Sequence, residues 1–247
     1  MSPTPMRTPA PEDVPIPIRH ARSWRIVPTV VRGVARRTVV ERRGFRSRLL
    51  RDVWIDVKRF GAPNVRMIEL TSIRGIRNVR VDGPVVRHGP LVLCALATLL
   101  ECDRIFEMGT FAGETSWLLA HNVPKALIYT LDPHPRQGGP AGYAGTPEEA
   151  RITELRGDPT DFDFSPYSGS IDLVRVDMGH ECRHVGAATG AAFGMLSELG
   201  SIVWDDYTHC PSVYTYLNAL APSLERPIFH ISGTRLAFYS RWDIVVD

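Results

Sequence analysis

Cysteine is scarce: Cys94, Cys102, Cys182 and Cys210 are the only four in 247 residues, and no two stand in a C-x-x-C spacing. That excludes a zinc knuckle or a disulfide framework and makes reduced thiols in a cytoplasmic protein the expectation. Long apolar runs are missing too; none reaches the roughly 18 residues that a bilayer-spanning helix requires. The start carries Pro3, Pro5, Pro9, Pro11, Pro15 and Pro17 without the apolar core of a secretory leader. Glycines cluster over 133–145, but no Lys-Ser/Thr pair follows them, so that stretch reads as a flexible loop and not as a phosphate cradle.

What the chain does have is apolar and arginine-rich sequence. A hydrophobic content of 44% is enough, at this length, for one substantial core. Net charge is only +2, yet residues 1–80 hold 18 of the 29 basic and 6 of the 27 acidic side chains, so a cationic first third precedes an acidic remainder. Solvated helix faces packing on an acidic body explain this; nucleic acid or an anionic membrane surface is the sharper alternative. Residues 1–18 read as a disordered tail, and 19–85 as a basic helical extension or lid with amphipathic helices over 23–44 and 45–60. From residue 86 the pattern changes. An apolar helix over 89–101 leads into strands at 103–108, 126–131, 171–176 and 201–204, with helices at 114–121 and 184–198 between them. Thr146-Pro147-Glu148-Glu149 reads as a helix start, and the runs 227–231 and 235–241 around Ser232-Gly233-Thr234 read as a closing hairpin. This alternation predicts an α/β domain over 86–247 built on a doubly wound, mostly parallel sheet.

The run from Ile105 to Ser116, I-F-E-M-G-T-F-A-G-E-T-S, joins an apolar strand to a glycine-hinged turn and a helix start. Gly109 and Gly113 lack a Cβ, which permits a tight turn and close approach of a ligand. The acid comes first. E-x-G-x-x-x-G offers the carboxylate of Glu107 where a pyrophosphate-binding G-x-G-x-x-G offers amides, which suits a cationic or amine-bearing ligand. Ligands of doubly wound sheets gather at the carboxyl ends of strands. Here those ends carry Glu107, Asp132, Asp158, Asp177 and the Asp205-Asp206 step.

Asp132, 23 positions after Gly109, has the spacing of a carboxylate that meets a ribose diol. Asp158, in Gly-Asp-Pro, reads equally as an adenine-edge contact or a bare turn. Asp177, Asp205 and Asp206 lie on strands expected to be neighbours, and their mutual repulsion would be relieved by a hard cation such as Mg²⁺ or Mn²⁺. His180 follows Asp177 by three positions and would hang over the same cleft as a base, with His209 as the less favoured substitute.

Over residues 86–242 these features resemble the class I S-adenosylmethionine-dependent methyltransferases, and among them the metal-dependent small-molecule O-methyltransferases of the catechol and macrocin types. The most specific likeness pairs Val176-Asp177-Met178-Gly179-His180 with Ile202-Val203-Trp204-Asp205-Asp206-Tyr207, which look like that family's Asp-Gly-Asp-His and Trp-Asp-Asp-Tyr segments. The resemblance implies a Rossmann-like sheet of seven strands with the last antiparallel. It implies Glu107, Gly109, Thr110 and Gly113 around the methionine portion of S-adenosylmethionine, Asp132 at its ribose, Asp158 at its adenine and Asp177 beside it. It also implies Asp177, Asp205 and Asp206 as ligands of Mg²⁺ or Mn²⁺, and His180 as the catalytic base. Met178-Gly179 departs from the Gly-Asp of many relatives, and Glu181-Cys182 from their Ser-Tyr.

The partner so implied is a small molecule bearing a hydroxyl, such as a sugar, a phenol or a natural product, rather than a nucleic acid. Homo-oligomerisation stays open. A metal-independent transferase to nitrogen, carbon or RNA, and a non-catalytic binding protein, are the alternatives. Trp54, Tyr143, Tyr207, Tyr214 and Tyr216 are candidates for the wall of an aromatic or sugar pocket, or for ordinary packing.

Overall fold

The computed structural model describes residues 64–83, 88–133, 140–177 and 182–246. The tail and the two amphipathic helices expected before residue 61, Trp54 among them, lie outside the described residues, as does His180. Strands β1 (Arg66–Ile68), β2 (Arg104–Met108), β3 (Leu127–Asp132), β4 (Ile152–Arg156), β5 (Ile171–Val176), β6 (Leu196–Trp204), β7 (Phe229–Ile231) and β8 (Ala237–Ser240) form one sheet. Its order is β1-β7-β8-β6-β5-β2-β3-β4. All neighbours run parallel except β8, which is antiparallel to both β6 and β7. Helices α1 (His88–Leu99), α2 (Glu114–Asn122), α3 (Cys182–Met195) and α4 (Pro211–Leu220) connect the strands.

The doubly wound expectation holds, with one strand more than the seven foreseen. The addition is β1, from a segment read as extension; it pairs Arg66, Met67 and Ile68 with Phe229, His230 and Ile231. Asn218 of α4 fixes that entry, its Oδ1 accepting the amides of Asn64 at 3.0 Å and Val65 at 3.1 Å. The expected terminal hairpin is β7–β8, turned by Gly233 at φ +78°. The helix expected from Thr146 is a single 3-10 turn, Pro147–Arg151, running straight into β4. Thr146 makes no side-chain cap, because its hydroxyl donates to the carbonyl of Tyr143 at 2.7 Å. The loop before it is also pinned where it is described: Gly142 N donates to Ala112 O at 2.8 Å, and the Tyr143 hydroxyl to Glu154 at 2.7 Å.

Strand alternation sorts the core into two layers. Ile105, Ile128, Leu173 and Val203 pack on one face with α1 and α2, through Leu93, Leu96, Leu118 and Leu119. Phe106, Val174, Ile202 and Trp204 pack on the other with α3 and α4, through Val185, Ala188, Val213 and Leu217. α1 is apolar nearly all round because it is buried between the sheet and its neighbours. Each such large side chain contributes roughly 1.5–3 kcal/mol by leaving water. The indole of Trp204 keeps its donor satisfied, Nε1 to Thr189 Oγ1 at 3.0 Å.

Candidate active site

The same alternation decides where the charges at the strand ends point. Glu107, Arg175 and Asp205 lie two residues after Ile105, Leu173 and Val203, so all three face the α1–α2 side of the sheet. The β2–β5 register sets Glu107 opposite Arg175. In consequence the Arg175 guanidinium, 7% exposed, joins three strand ends: Nη1 donates to Glu107 Oε1 at 2.7 Å, and Nη2 to Asp205 Oδ2 at 3.2 Å and to Asp177 Oδ2. Burial opposes this charge, but Asp177, Glu107 and Asp205 outweigh it and hold the guanidinium pKa above its usual value. Arg175 was not among the expected site residues. Its signal is a single basic side chain in the otherwise apolar end of β5, Leu173-Val174-Arg175-Val176.

Glu107 is fully buried, with both oxygens engaged inside the protein. Oε2 accepts from Ser116 Oγ of α2 and from Thr130 Oγ1 at 3.0 Å. Since that uses the one hydroxyl proton of Thr130, the 2.7 Å contact between Thr110 and Thr130 has Thr110 as donor. The hydrogen bonds of Glu107 go to Arg175, Ser116 and Thr130, and the Thr110 hydroxyl ends the same chain. Gly109, at φ +105°, serves a close approach within the protein; a Cβ there would lie 2.3 Å from the Asp177 carbonyl oxygen. Gly113, at φ +79°, turns the chain into α2.

On the other half of the sheet the acids accept from turn amides and a hydroxyl. Asp132 Oδ2 accepts the Phe111 amide at 3.1 Å, stabilising a turn in which Phe111 adopts φ +46°, an uncommon value for a bulky side chain. Asp158 Oδ1 accepts from both the amide and the hydroxyl of Thr160, at 2.8 and 2.6 Å, which is the turn reading of Gly-Asp-Pro.

Asp177, Asp205 and Asp206 do come together, because β5 and β6 are parallel neighbours. Arg235, from the β7–β8 hairpin, meets them there: Nε lies 2.9 Å from Asp205 Oδ1 and Nη1 3.0 Å from Asp206 Oδ1. Both oxygens of Asp205 are engaged. Oδ1 accepts the Asp206 amide at 2.8 Å beside the Arg235 Nε ion pair, and Oδ2 accepts from Arg175 Nη2 at 3.2 Å and Arg235 Nη2 at 3.5 Å. Three hydrogen bonds and the ion pair occupy most of the acceptor capacity of a carboxylate. A hard cation needs free oxygens at about 2.0–2.1 Å, and among the described residues no group of three or more His, Cys, Asp or Glu is arranged to hold one. The three aspartates as they stand do not fit the divalent ion expected of them.

Asp177 keeps partial access to solvent, at 16% exposed. Burial raises its pKa to about 6, Arg175 opposing and the charges of Asp205 and Asp206 adding to the rise. Of the tyrosines read either as a pocket wall or as packing, Tyr207 lies against Tyr214 and His230, and its hydroxyl accepts from Asn218 at 3.0 Å. Tyr143 and Tyr216 are buried too. No helix among the described residues is long and apolar enough to cross a membrane.

Comparison with known proteins follows from this geometry. A family model described as "Methyltransferase domain" matches residues 106–207, from the end of β2 to just past β6. No curated protein matches the chain. Among solved structures, a candidate O-methyltransferase from Nostoc punctiforme is 13% identical over 60% of this chain, with a TM-score of 0.43; the match spans about half of that protein, 54%. TomG of Streptomyces achromogenes, an O-methyltransferase of tomaymycin synthesis in complex with S-adenosylmethionine, is 17% identical over 76% of this chain and 94% of its own, with a TM-score of 0.48. MycE of the mycinamycin pathway, in complex with Mg, S-adenosylhomocysteine and mycinamycin VI, is 20% identical over 55% of this chain and 43% of its own, with a TM-score of 0.41. The match to the methyltransferase-domain model thus covers the strands β3, β4, β5 and β6, the end of β2 and the acid-first glycine turn, about two-fifths of the chain, while the antiparallel β8 lies beyond it.

Proposed function

We propose that the chain transfers a methyl group from S-adenosylmethionine to a hydroxyl of a small molecule, such as a sugar, a phenol or a natural product. The observation that carries the reading is the carboxyl edge of the matched domain, where, among the described residues, Glu107, Asp177, Asp205 and Asp206 face two arginines and make the cluster net negative. A cationic ligand completes that balance. When bound, the cofactor supplies an activated sulfonium methyl, so the protein's part is to position the acceptor, exclude water and move one proton.

The Gly109–Gly113 turn would receive the methionine portion, with Asp177 the accessible carboxylate beside it. Asp132 would hold the ribose, and Asp158 would border the adenine. Glu107 acts through Arg175, which it orients. His180, outside the described residues and three positions beyond Asp177, would take the hydroxyl proton. No step is routed through a divalent ion, because the carboxylates proposed to bind it are engaged by guanidinium groups.

Calorimetry with S-adenosylhomocysteine, followed by label transfer from methyl-tritiated cofactor to hydroxyl, amine and RNA acceptors, tests this. Saturable cofactor binding and label on a hydroxyl are expected, with His180→Ala lowering kcat by about 10²–10⁴-fold and leaving cofactor affinity unchanged. A folded protein that does not bind the cofactor would end the reading, as would label on RNA alone.

A further inference from the structure

We infer that Arg175 and Arg235 are the resident counter-ions of the strand-tip aspartates, occupying the place where a divalent metal was expected, and that Arg235 is a positioning residue for the Asp205-Asp206 step. The inference uses the cleft of the proposed function but does not depend on which acceptor is methylated.

Two independent sets of contacts carry it. One is the occupation of both Asp205 oxygens, by hydrogen bonds from the Asp206 amide, Arg175 Nη2 and Arg235 Nη2 and by the ion pair with Arg235 Nε at 2.9 Å. A metal could reach either oxygen only by displacing a charged, partly buried contact. The other is the way Arg235 is held. Its carbonyl accepts the Tyr207 amide at 2.8 Å, so main chain and side chain grip residues 205–207 together. The hairpin behind it is braced by Thr234, whose hydroxyl donates to Ile231 O at 2.7 Å and accepts the Leu236 amide at 3.0 Å.

Between these anchors Asp206 sits at φ +57°, a conformation an aspartate tolerates but does not prefer. Its carbonyl accepts the amides of His209 and Cys210, and Arg235 takes its carboxylate. The planar fork of arginine matches this two-residue target; a lysine could neutralise one carboxylate but not span both. Arg235 is one-third exposed and Arg175 almost fully buried, so only Arg235 is open to exchange with an added cation.

The test is a Mn²⁺ titration of the full chain, read by water-proton relaxation, with and without S-adenosylhomocysteine. Wild type is expected to show no saturable site tighter than about 1 mM, the weak end for oxygen-ligand sites. Arg235→Met, which keeps the stem and loses the charge, is expected to bind Mn²⁺ at least about tenfold more tightly, a gain that loss of packing alone would not produce. A stoichiometric wild-type site in the micromolar range overturns the inference, and so does a folded Arg235→Met protein with no gain. Should Arg235→Met not fold, the wild-type titration decides, repeated on Arg235→Lys, for which an intermediate gain is expected and none would count against. Cofactor affinity, measured separately, reads the proposed function, so either idea can fail without the other.

Discussion

The two halves of the carboxyl edge neutralise their acids in different ways. Beyond β3 and β4, Asp132 and Asp158 are held by amides and a hydroxyl from turns close in sequence or stacked directly alongside. Beyond β2, β5 and β6, Glu107, Asp177, Asp205 and Asp206 share two arginines drawn from β5 and the terminal hairpin. A neutral donor leaves a carboxylate its charge, so it fixes the side chain without cancelling it. Charged donors instead lock Glu107 and Asp205 into a network in which loss of an arginine leaves buried charge exposed to its neighbours' repulsion.

If that contrast is right, Arg175→Met has the largest effect. It strands Glu107 as a buried, uncompensated charge and takes one of the two arginines from Asp205, and urea denaturation should show a loss of about 3–5 kcal/mol. Arg175→Lys should recover less than half, since one ammonium cannot reach three carboxylates in the same geometry. Gly109→Ala is expected next, at about 3 kcal/mol, because the new Cβ meets the Asp177 carbonyl and the backbone must hold φ +105°. An unchanged midpoint would mean that the β2 and β5 tips are not packed together as described.

Asp177→Asn should have the opposite sign. The native carboxyl titrates near 6 rather than 3.8, so between those values the folded state holds the proton more tightly than the unfolded chain. Wild-type stability from this group therefore falls as pH rises from about 4 to 6 and is flat above. Asparagine lacks that slope and should be more stable at pH 8 by roughly 1–2 kcal/mol, while cofactor affinity declines. A pH-independent difference between the two proteins would remove the strained carboxylate from the account. Asp132→Ala sharpens the comparison from the other half: loss of the hydrogen bond from the exposed Phe111 amide should lower stability by about 1 kcal/mol. Cofactor affinity should nevertheless weaken by at least about tenfold, roughly the 1.4 kcal/mol of one good polar contact. Calorimetry and thermal melts on one sample separate these.

Much of this was readable before folding. The apolar runs ending in acids located β2, β3, β5 and β6, and the buried, nearly all-apolar α1 was evident from Leu91 to Leu100. The terminal hairpin followed from its glycine. β1 was not readable, because three residues, Arg66-Met67-Ile68, carry no period; pairing with β7 makes them a strand. The 3-10 turn at Pro147 escaped for a related reason. Its start signals are those of a helix, and the length available before β4 is set by the sheet.

For the site, the sequence by itself determined which side chains stand at the strand tips, because strand length and alternation are local properties of apolar pattern. It also determined that too many of them are acidic to be left without compensation. Only the tertiary structure decided what compensates them. Arg175 and Glu107 are 68 positions apart, and Arg235 reaches Asp205 from 30 positions away. Ion pairing at about 3 Å depends on register between strands distant in the chain, and no local pattern encodes that distance.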